Sequence, residues 1–206
     1  MDSYYKQSRD LIDEGQFGAP IILTPFNYVW GQQYGFKLTT NYTIDAFTAY
    51  ANFAVERARG KQWETAQFNF TPDDFNYVAN HWISLDHEQQ YTGSTGANYT
   101  WKSTGTRASI DMLFGSGLRC SGPPGCGAVI VLPSGAGAPN SGHLPYYRQV
   151  NLGITQALPL PALGDSKEKP TLRFDVINLF DQVYEIRNGT GAGVFAPQYG
   201  PRRGLG

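Results

Sequence analysis

The sequence predicts an all-β fold, an antiparallel up-and-down transmembrane β-barrel segment of about eight strands. Nearly every segment with strand character is about ten residues long and has one apolar and one polar face. The connections alternate between long and short, as the outer loops and periplasmic turns of outer-membrane barrels do. Aromatic residues lie at strand ends, where interfacial girdles are expected, namely Tyr34, Tyr42, Tyr91, Tyr99 and Trp101.

Alternating apolar and polar residues place the individual strands along the chain. Strands are predicted at residues 3–12, 34–43, 47–56, 87–102, 106–115, 149–155 and, as one long strand, within 169–187, with a partial last strand from Pro201. Long connections are predicted at residues 13–33, 57–86, 116–145 and after Arg187, short turns at 44–46 and 103–105, and a moderate Pro-rich link at 159–170.

The segment 106–115 shows the alternation most clearly. One face carries Ala108, Ile110, Met112 and Phe114, and the other carries Arg107, Ser109 and Asp111. In the segment 169–187, Arg173 and Asp175 likewise alternate with Leu172, Phe174 and Val176. In a barrel the polar face lines the lumen, so Arg107, Asp111, Arg173 and Asp175 are predicted to face the lumen.

Composition limits the classes of protein that fit. With 206 residues, 41% hydrophobic and 16% charged, the chain has enough apolar material to fold and is treated as a single segment, residues 1–206. A net charge of -1 gives no electrostatic reason to expect a nucleic-acid partner. No run of about 18 apolar residues is present, which excludes a transmembrane helix, and no export signal opens the sequence.

A soluble β-sandwich binding module is the alternative fold. Its strands also alternate, but the apolar face points into a packed core instead of toward lipid. Sandwich strands are usually about five or six residues long, and nothing in that fold requires long and short loops to alternate. Loop alternation and strand length therefore favour the barrel.

Motifs spread over the chain resemble a known family. They are the run 173–181 (RFDVINLFD) followed by Tyr184, the closing segment 200–204 (GPRRG), and, upstream, residues 147–153, 115–119, 86–88 and 4–5. In this order they resemble the C-terminal part of a TonB-dependent outer-membrane receptor. Members of that family combine a 22-stranded barrel with an N-terminal plug, and they import scarce ligands such as ferric siderophores using energy passed through TonB.

The resemblance implies a C-terminal barrel segment, without the plug, in the outer membrane of a Gram-negative bacterium. The expected partners are outer-membrane lipid, the remainder of the barrel and a plug domain in the full-length protein, with TonB contacted only through the N-terminal part. Alone, the segment is expected not to transport. A self-contained eight-strand barrel with a structural or adhesive role is the alternative within the membrane.

Aromatic and imidazole side chains in the predicted loop 57–86 are candidate ligand contacts. They are Trp63, Phe68, Phe70, His81 and Trp82. Packing of the loop on itself explains the aromatic residues equally well. The His and carboxylate residues of the loop and its edge show no ligand-like spacing, so no metal site is predicted.

Cys120 and Cys126 are the only cysteines, and they bracket a short turn-rich segment. They are predicted to form a disulfide if the chain reaches an oxidising compartment. A zinc site would need further ligands. No nucleophile elbow, P-loop, dinucleotide fingerprint or HExxH motif is present, so neither an enzyme nor a cofactor is predicted.

Overall fold

The computed structural model describes residues 1–15, 24–65, 70–122, 125–160, 169–188 and 197–206. Thirteen strands and one helix lie in these ranges. They are β1 (Asp2–Gly15), β2 (Thr24–Ile44), β3 (Phe47–Glu64), α1 (Pro72–Asn80), β4 (Ile83–Ser84), β5 (Tyr91–Trp101), β6 (Thr106–Gly115), β7 (Arg119–Cys120), β8 (Gly142–His143), β9 (Tyr147–Ala157), β10 (Thr171–Ile177), β11 (Glu185–Asn188), β12 (Pro197–Tyr199) and β13 (Gly204–Leu205).

One large sheet dominates the fold. Its strands follow the order β1-β2-β3-β5-β6-β9-β10-β13. β4 pairs with β3 at Arg59 and Gly60, near the C-terminal end of β3, and this end of the sheet is called its upper end. All neighbouring strands are antiparallel. The all-β, antiparallel, up-and-down prediction is therefore confirmed. Within the described ranges β1 and β13 end the sheet without pairing to each other, so closure into a barrel stays a prediction.

The first hairpin is much longer than predicted. β1 runs to Gly15 and pairs with β2 down to Thr24, so residues 24–33 form strand and not connection. Gly15, Gly18, Pro20 and Pro25 suggested a loop, and Gly18 and Pro20 lie outside the described residues. Gly31, farther along β2, lies in a crowded part of the ladder, where a Cβ atom would meet Leu11 at 2.9 Å. Pro25 is the second residue of β2, where the absence of an N–H is tolerated.

The predicted loop 57–86 also contains ordered structure. β3 continues to Glu64, a part of the strand that carries Arg57, Arg59 and Lys61 and therefore lacks the apolar alternation used for prediction. The helix α1 follows. Its N-cap is Thr71, whose hydroxyl accepts from the Asp74 N–H at 3.2 Å while the Asp74 carboxylate accepts from the Thr71 N–H at 3.1 Å. This capping box, with Pro72 after the cap, is a helix signal that the sequence interpretation missed.

Two further boundaries differ from prediction. β5 begins at Tyr91 and not at His87, because the chain turns at residues 86–87 and forms no strand at residues 88–90. The long strand predicted within 169–187 ends at Ile177. Directly after it, Asn178 has a φ of 52° and Asp181 a φ of 49°, left-handed conformations that interrupt a strand.

The two faces of the large sheet differ in polarity. Directly opposed residues of adjacent strands share a face. One face, here the apolar face, contains the cross-strand row Ala49–Ala97–Ile110–Leu152–Val176 and the row Phe47–Tyr99–Ala108–Ile154–Phe174. The other, here the polar face, contains the row Thr48–Asn98–Ser109–Gly153–Asp175. The registers place the predicted faces on opposite sides of the sheet.

Buried apolar residues concentrate at the end of the sheet formed by the upper parts of β2 and β3. They form one cluster, the loop core, which consists of Phe26, Tyr28, Trp63, Phe70, Val78 and Ile83. The rings of Trp63 and Phe70 are 3.9 Å apart between centroids, and Phe26 packs edge-on to both. Val78 brings α1 into this cluster. Within the described ranges, no helix combines the length and apolar character needed to cross a membrane.

Candidate functional site

The four residues predicted to face a lumen line one cavity. Arg107, Asp111, Arg173 and Asp175 border a space of about 450 Å³ together with Asn98, Asn151 and Thr155. Arg107 is directly opposite Thr155, which is opposite Arg173 on the next strand. Arg173 binds the Asp175 carboxylate through two nitrogens, at 2.6 and 2.9 Å. The strand registers thus bring together charged residues that lie far apart in sequence.

A second cavity, of about 620 Å³, adjoins the other end of the same strands. Tyr147 and Tyr184 stack on one side of it with centroids 5.1 Å apart. Lys37 and Glu56 contribute one charge of each sign, and amide and hydroxyl groups complete the lining, from Asn52, Gln89, Thr92 and Ser94. These groups suit a polar ligand that forms hydrogen bonds and packs against an aromatic ring.

A chain of hydrogen bonds runs over the polar face from Tyr184. The Tyr184 hydroxyl donates to Gln149 Oε1 at 2.8 Å, and Gln149 Nε2 donates to Asn151 Oδ1 at 2.8 Å. Asn151 Oδ1 also accepts the backbone N–H of Asn178 at 2.9 Å. Gln149 is buried at 7% exposure, so these bonds satisfy an amide that has left water.

The predicted loop contacts do not form one site. Trp63 and Phe70 are each only 8% exposed and belong to the loop core, whereas Trp82 is 41% exposed and His81 lies at the surface. His81 stacks on Tyr77 at 4.3 Å, and its Nδ1 lies 2.9 Å from the Tyr77 carbonyl oxygen. Phe68 lies outside the described residues. Burial of Trp63 and Phe70 favours packing of the loop on itself, and it leaves His81 and Trp82 as the accessible members.

Sequence reasoning did not identify Glu88 as a central residue. Its side chain is fully buried. Arg119 donates to Glu88 Oε1 through Nε at 3.1 Å and a terminal nitrogen at 2.6 Å, and Arg57 lies 3.3 Å from the same oxygen. The Ser84 hydroxyl and the Ala58 N–H also donate to the carboxylate. Glu88 thereby joins β3, β4 and β7. What distinguishes it from an ordinary loop glutamate is burial by residues distant in the sequence.

Cys120 and Cys126 are joined by a disulfide, with Cα atoms 5.8 Å apart. Cys120 is buried at the β7–β8 ladder. The bond closes a short loop beside the Glu88 network, because Arg119 precedes Cys120. Within the described part of the chain, no group of three or more His, Cys, Asp or Glu side chains is arranged to hold a metal ion.

The motifs 178–181 and 201–203 contact each other directly. The Asp181 carboxylate accepts from Arg202 Nε at 2.8 Å and from the Arg203 N–H at 2.9 Å. The Asn178 side-chain amide donates to the carbonyls of Pro201 and Gln182, both at 2.9 Å. These bonds hold the C-terminal segment where β13 pairs with β10. The two motifs therefore have a common physical role.

Comparisons of the chain with protein-family models, with curated proteins and with solved structures found no match. The class that the fold itself defines is an all-β protein with an antiparallel up-and-down sheet. Its particular function has to be argued from the two faces of that sheet.

Proposed function

We propose that this chain is a wall segment of the β-barrel of a TonB-dependent receptor in the outer membrane of a Gram-negative bacterium. In this role the apolar face contacts outer-membrane lipid, and the polar face lines the lumen through which a scarce ligand such as a ferric siderophore is imported. The remainder of the barrel and a plug domain are the protein partners of the segment.

The observation that carries the proposal is an apolar face that no other described part of the chain covers. Ile110, Ile154 and Phe174, in the middle strands and at the β10 side of the sheet, are 48, 53 and 50% exposed. A β-sandwich buries such a face under a second sheet, because apolar area left in water forgoes about 25 cal/mol per Å². A barrel wall leaves this face exposed until lipid covers it.

The spacing of aromatic residues along the apolar face supports a wall that crosses a membrane. Tyr34 and Tyr42 in β2 are eight residues apart, as are Tyr91 and Tyr99 in β5. At roughly 3.4 Å per residue this separation is about 27 Å along the strand, and a strand tilt of about 35–45° turns it into a height of about 19–22 Å. An apolar band about 25 Å tall between two aromatic girdles is typical of outer-membrane barrels, whose strands are tilted. The ring pairs Tyr5–Tyr34 and Tyr99–Trp101 mark the two ends of the band.

The polar face supports the receptor part of the proposal. Both cavities lie along it: the smaller one holds the Arg173–Asp175 ion pair, and the larger one is lined by one charge of each sign, Lys37 and Glu56. Paired charges and amides inside a water-filled or plugged lumen are a feature of outer-membrane barrels. The interlocked motifs 178–181 and 201–203, which carry the resemblance to the receptor family, give the segment its C-terminal edge.

Nitroxide labels on β6 provide the test. Single cysteines replace Ala108, Ile110 and Met112 on the apolar face, and Ser109 and Asp111 on the polar face, in the full chain with Cys120→Ser and Cys126→Ser. The labelled chain is reconstituted in phosphatidylcholine vesicles. Relaxation by oxygen, which partitions into lipid, is compared with relaxation by a water-soluble nickel chelate.

Labels on the apolar face are expected to respond to oxygen, and labels on the polar face to the nickel chelate, alternating residue by residue. Apolar-face labels that respond to neither reagent would indicate a packed interior and would favour the sandwich. The two polar-face positions serve as matched controls, because they differ from their neighbours only in the face they occupy.

A further inference from the structure

A group of cations lies on the apolar-face side of the sheet, beyond the aromatic end of the band. Arg9 in β1 is directly opposite Trp30 in β2, and Trp30 is directly opposite Lys61 in β3. These three residues form one cross-strand row, here the basic row. The Arg9 guanidinium carbon lies 4.5 Å from the Trp30 ring centroid, a cation–π contact. Arg9 is exposed, and Trp30 is 40% exposed.

Polarity rises in steps along β1 to β3 toward this row. Phe36 and Leu38 lie within the apolar band, and Tyr5, Tyr34 and Arg57 form the next row of the face. Beyond them, Gln7 is opposite Gln32, and Gln32 is opposite Arg59. The basic row follows. Apolar rows thus give way to a row of tyrosines and arginine, then to a row of glutamines and arginine, and then to the basic row, so that polarity rises as it does on a surface that leaves a membrane.

Arg59 extends the group toward the loop. Its guanidinium carbon lies 5.4 Å from the Tyr34 ring and 5.9 Å from the Trp82 ring, and a terminal nitrogen donates to Gln32 Oε1 at 2.9 Å. Gln7 and Gln32 both donate to the Tyr5 hydroxyl at 2.7 Å. The aromatic and amide groups hold Arg59 in place without neutralising its charge.

None of these three cations forms an ion pair within the described parts of the chain. Other cations do, with the pairs Lys102–Asp45, Arg119–Glu88, Arg173–Asp175, Arg187–Asp86 and Arg202–Asp181. Directly above the row, Asp10 and Gln62 have φ angles of 53° and 59°, and the next residues, Leu11 and Trp63, pack in or against the loop core. Beyond the basic row, these next side chains of β1 and β3 therefore pack in or against the loop core and no longer point outward from this face.

We propose that Arg9, Lys61 and Arg59 bind the phosphate of an anionic lipid headgroup in the outer leaflet. The inference rests on the proposed function, because only a membrane-spanning wall places the basic row at the level of the lipid headgroups. Guanidinium and ammonium groups are the common phosphate ligands in proteins, and Trp30 and Trp82 supply the interfacial rings that accompany them. The shorter strands β5, β6 and β9 carry no matching row at this height, which makes the site local to β1–β3.

The test uses the full chain in a non-ionic maltoside detergent, with short-chain phosphatidylglycerol as the probe. Binding is followed by tryptophan fluorescence, since Trp30 and Trp82 lie at the site. Phosphatidylglycerol is expected to bind more tightly than phosphatidylcholine of the same chain length. The triple variant Arg9→Gln, Arg59→Gln, Lys61→Gln is expected to bind it about a hundredfold more weakly, at about fivefold for each cation removed.

The matched control removes three exposed cations that lie outside the basic row and outside both cavities, as Lys6→Gln, Lys169→Gln and Arg203→Gln. It should retain the affinity of the unmodified chain, because its net charge changes equally but the site is intact. Equal weakening in both triple variants would overturn the site and leave only general charge attraction. The same saturable response to inorganic phosphate alone would overturn the lipid source, because a free anion would then suffice.

The outcomes also separate this inference from the proposed function. If apolar-face nitroxides contact lipid but the site variant binds phosphatidylglycerol normally, only the headgroup site is overturned. If those nitroxides contact neither lipid nor water, the row does not lie at a membrane surface and both proposals are overturned.

Discussion

The loop core and the apolar face belong to the same sheet, and both consist of large apolar side chains. In the loop core, Tyr28 and Val78 are completely buried, because α1 and the loop pack over the upper parts of β2 and β3. On the apolar face, Ile154 and Phe174 are about half exposed. The difference teaches that apolar alternation identifies a face but not what covers it, which here is protein in one region and, by our proposal, lipid in the other.

The largest expected effect distinguishes the two regions by removing one tryptophan from each. Trp63→Ala empties the centre of the loop core, where Trp63 contacts Phe26, Phe70 and Phe75, and is expected to lower the free energy of unfolding by about 3–5 kcal/mol. Urea unfolding of the full chain in detergent micelles measures this loss.

Trp101→Ala is the matched control on the apolar face. Trp101 is 45% exposed and packs mainly on Tyr99, at 4.9 Å between centroids. Its removal is expected to cost about 1 kcal/mol, the size of such an aromatic contact. Equal losses from the two substitutions would contradict the contrast between the regions.

The next effect concerns the polar network beside the loop core. Glu88→Gln leaves the cations of Arg119 and Arg57 next to a neutral amide in a buried position. The expected loss is about 3 kcal/mol, at the lower end for a broken buried pair because Arg57 is 35% exposed. Asp45→Asn removes the partner of Lys102 at an exposed turn and is expected to leave the unfolding midpoint unchanged. A neutral Glu88→Gln would show that the network is dispensable.

A smaller effect measures how tightly the loop core is packed against the sheet. A Cβ atom at Gly60 would meet the Tyr28 ring at 2.3 Å, and Tyr28 is fully buried. Gly60→Ala is therefore expected to cost about 1–3 kcal/mol through overpacking. At Gly204 no atom of the described residues lies within 4 Å of the added Cβ, so Gly204→Ala should be neutral in the same unfolding experiment. Similar behaviour of both variants would mean that Tyr28 moves aside.

The sequence predicted the parts of the fold that depend on local alternation. In β6, Ile110 and Asp111 fall on the expected faces, and the turns at 44–46 and 102–105 lie within about one residue of prediction. It did not predict the continuation of β3, since Arg57, Arg59 and Lys61 carry no apolar pattern. That stretch is strand because it pairs with β2 and β4, which is a non-local cause.

The candidate sites divide in the same way. The cavity of Arg107, Asp111, Arg173 and Asp175 follows from strand registers that alternation suggests. The burial of Glu88 does not, because a buried glutamate and an exposed one look alike in a single sequence. The basic row depends on a register between β1, β2 and β3 in the region that was predicted to be loop.

The last prediction enlarges a side chain in each region, where overpacking separates a covered site from an uncovered one. Ile110→Trp and Met112→Phe on the apolar face should change the free energy of unfolding by no more than about 0.5 kcal/mol relative to the unmodified chain. Detergent or lipid rearranges around a larger side chain, whereas a close-packed protein layer would be overfilled. Val78→Phe in the loop core should cost about 1–3 kcal/mol. Asp111→Asn controls for disturbance of β6 itself and should be neutral. If the Ile110 and Met112 variants lose as much stability as Val78→Phe while Asp111→Asn does not, a protein layer covers the apolar face, and the membrane assignment is wrong.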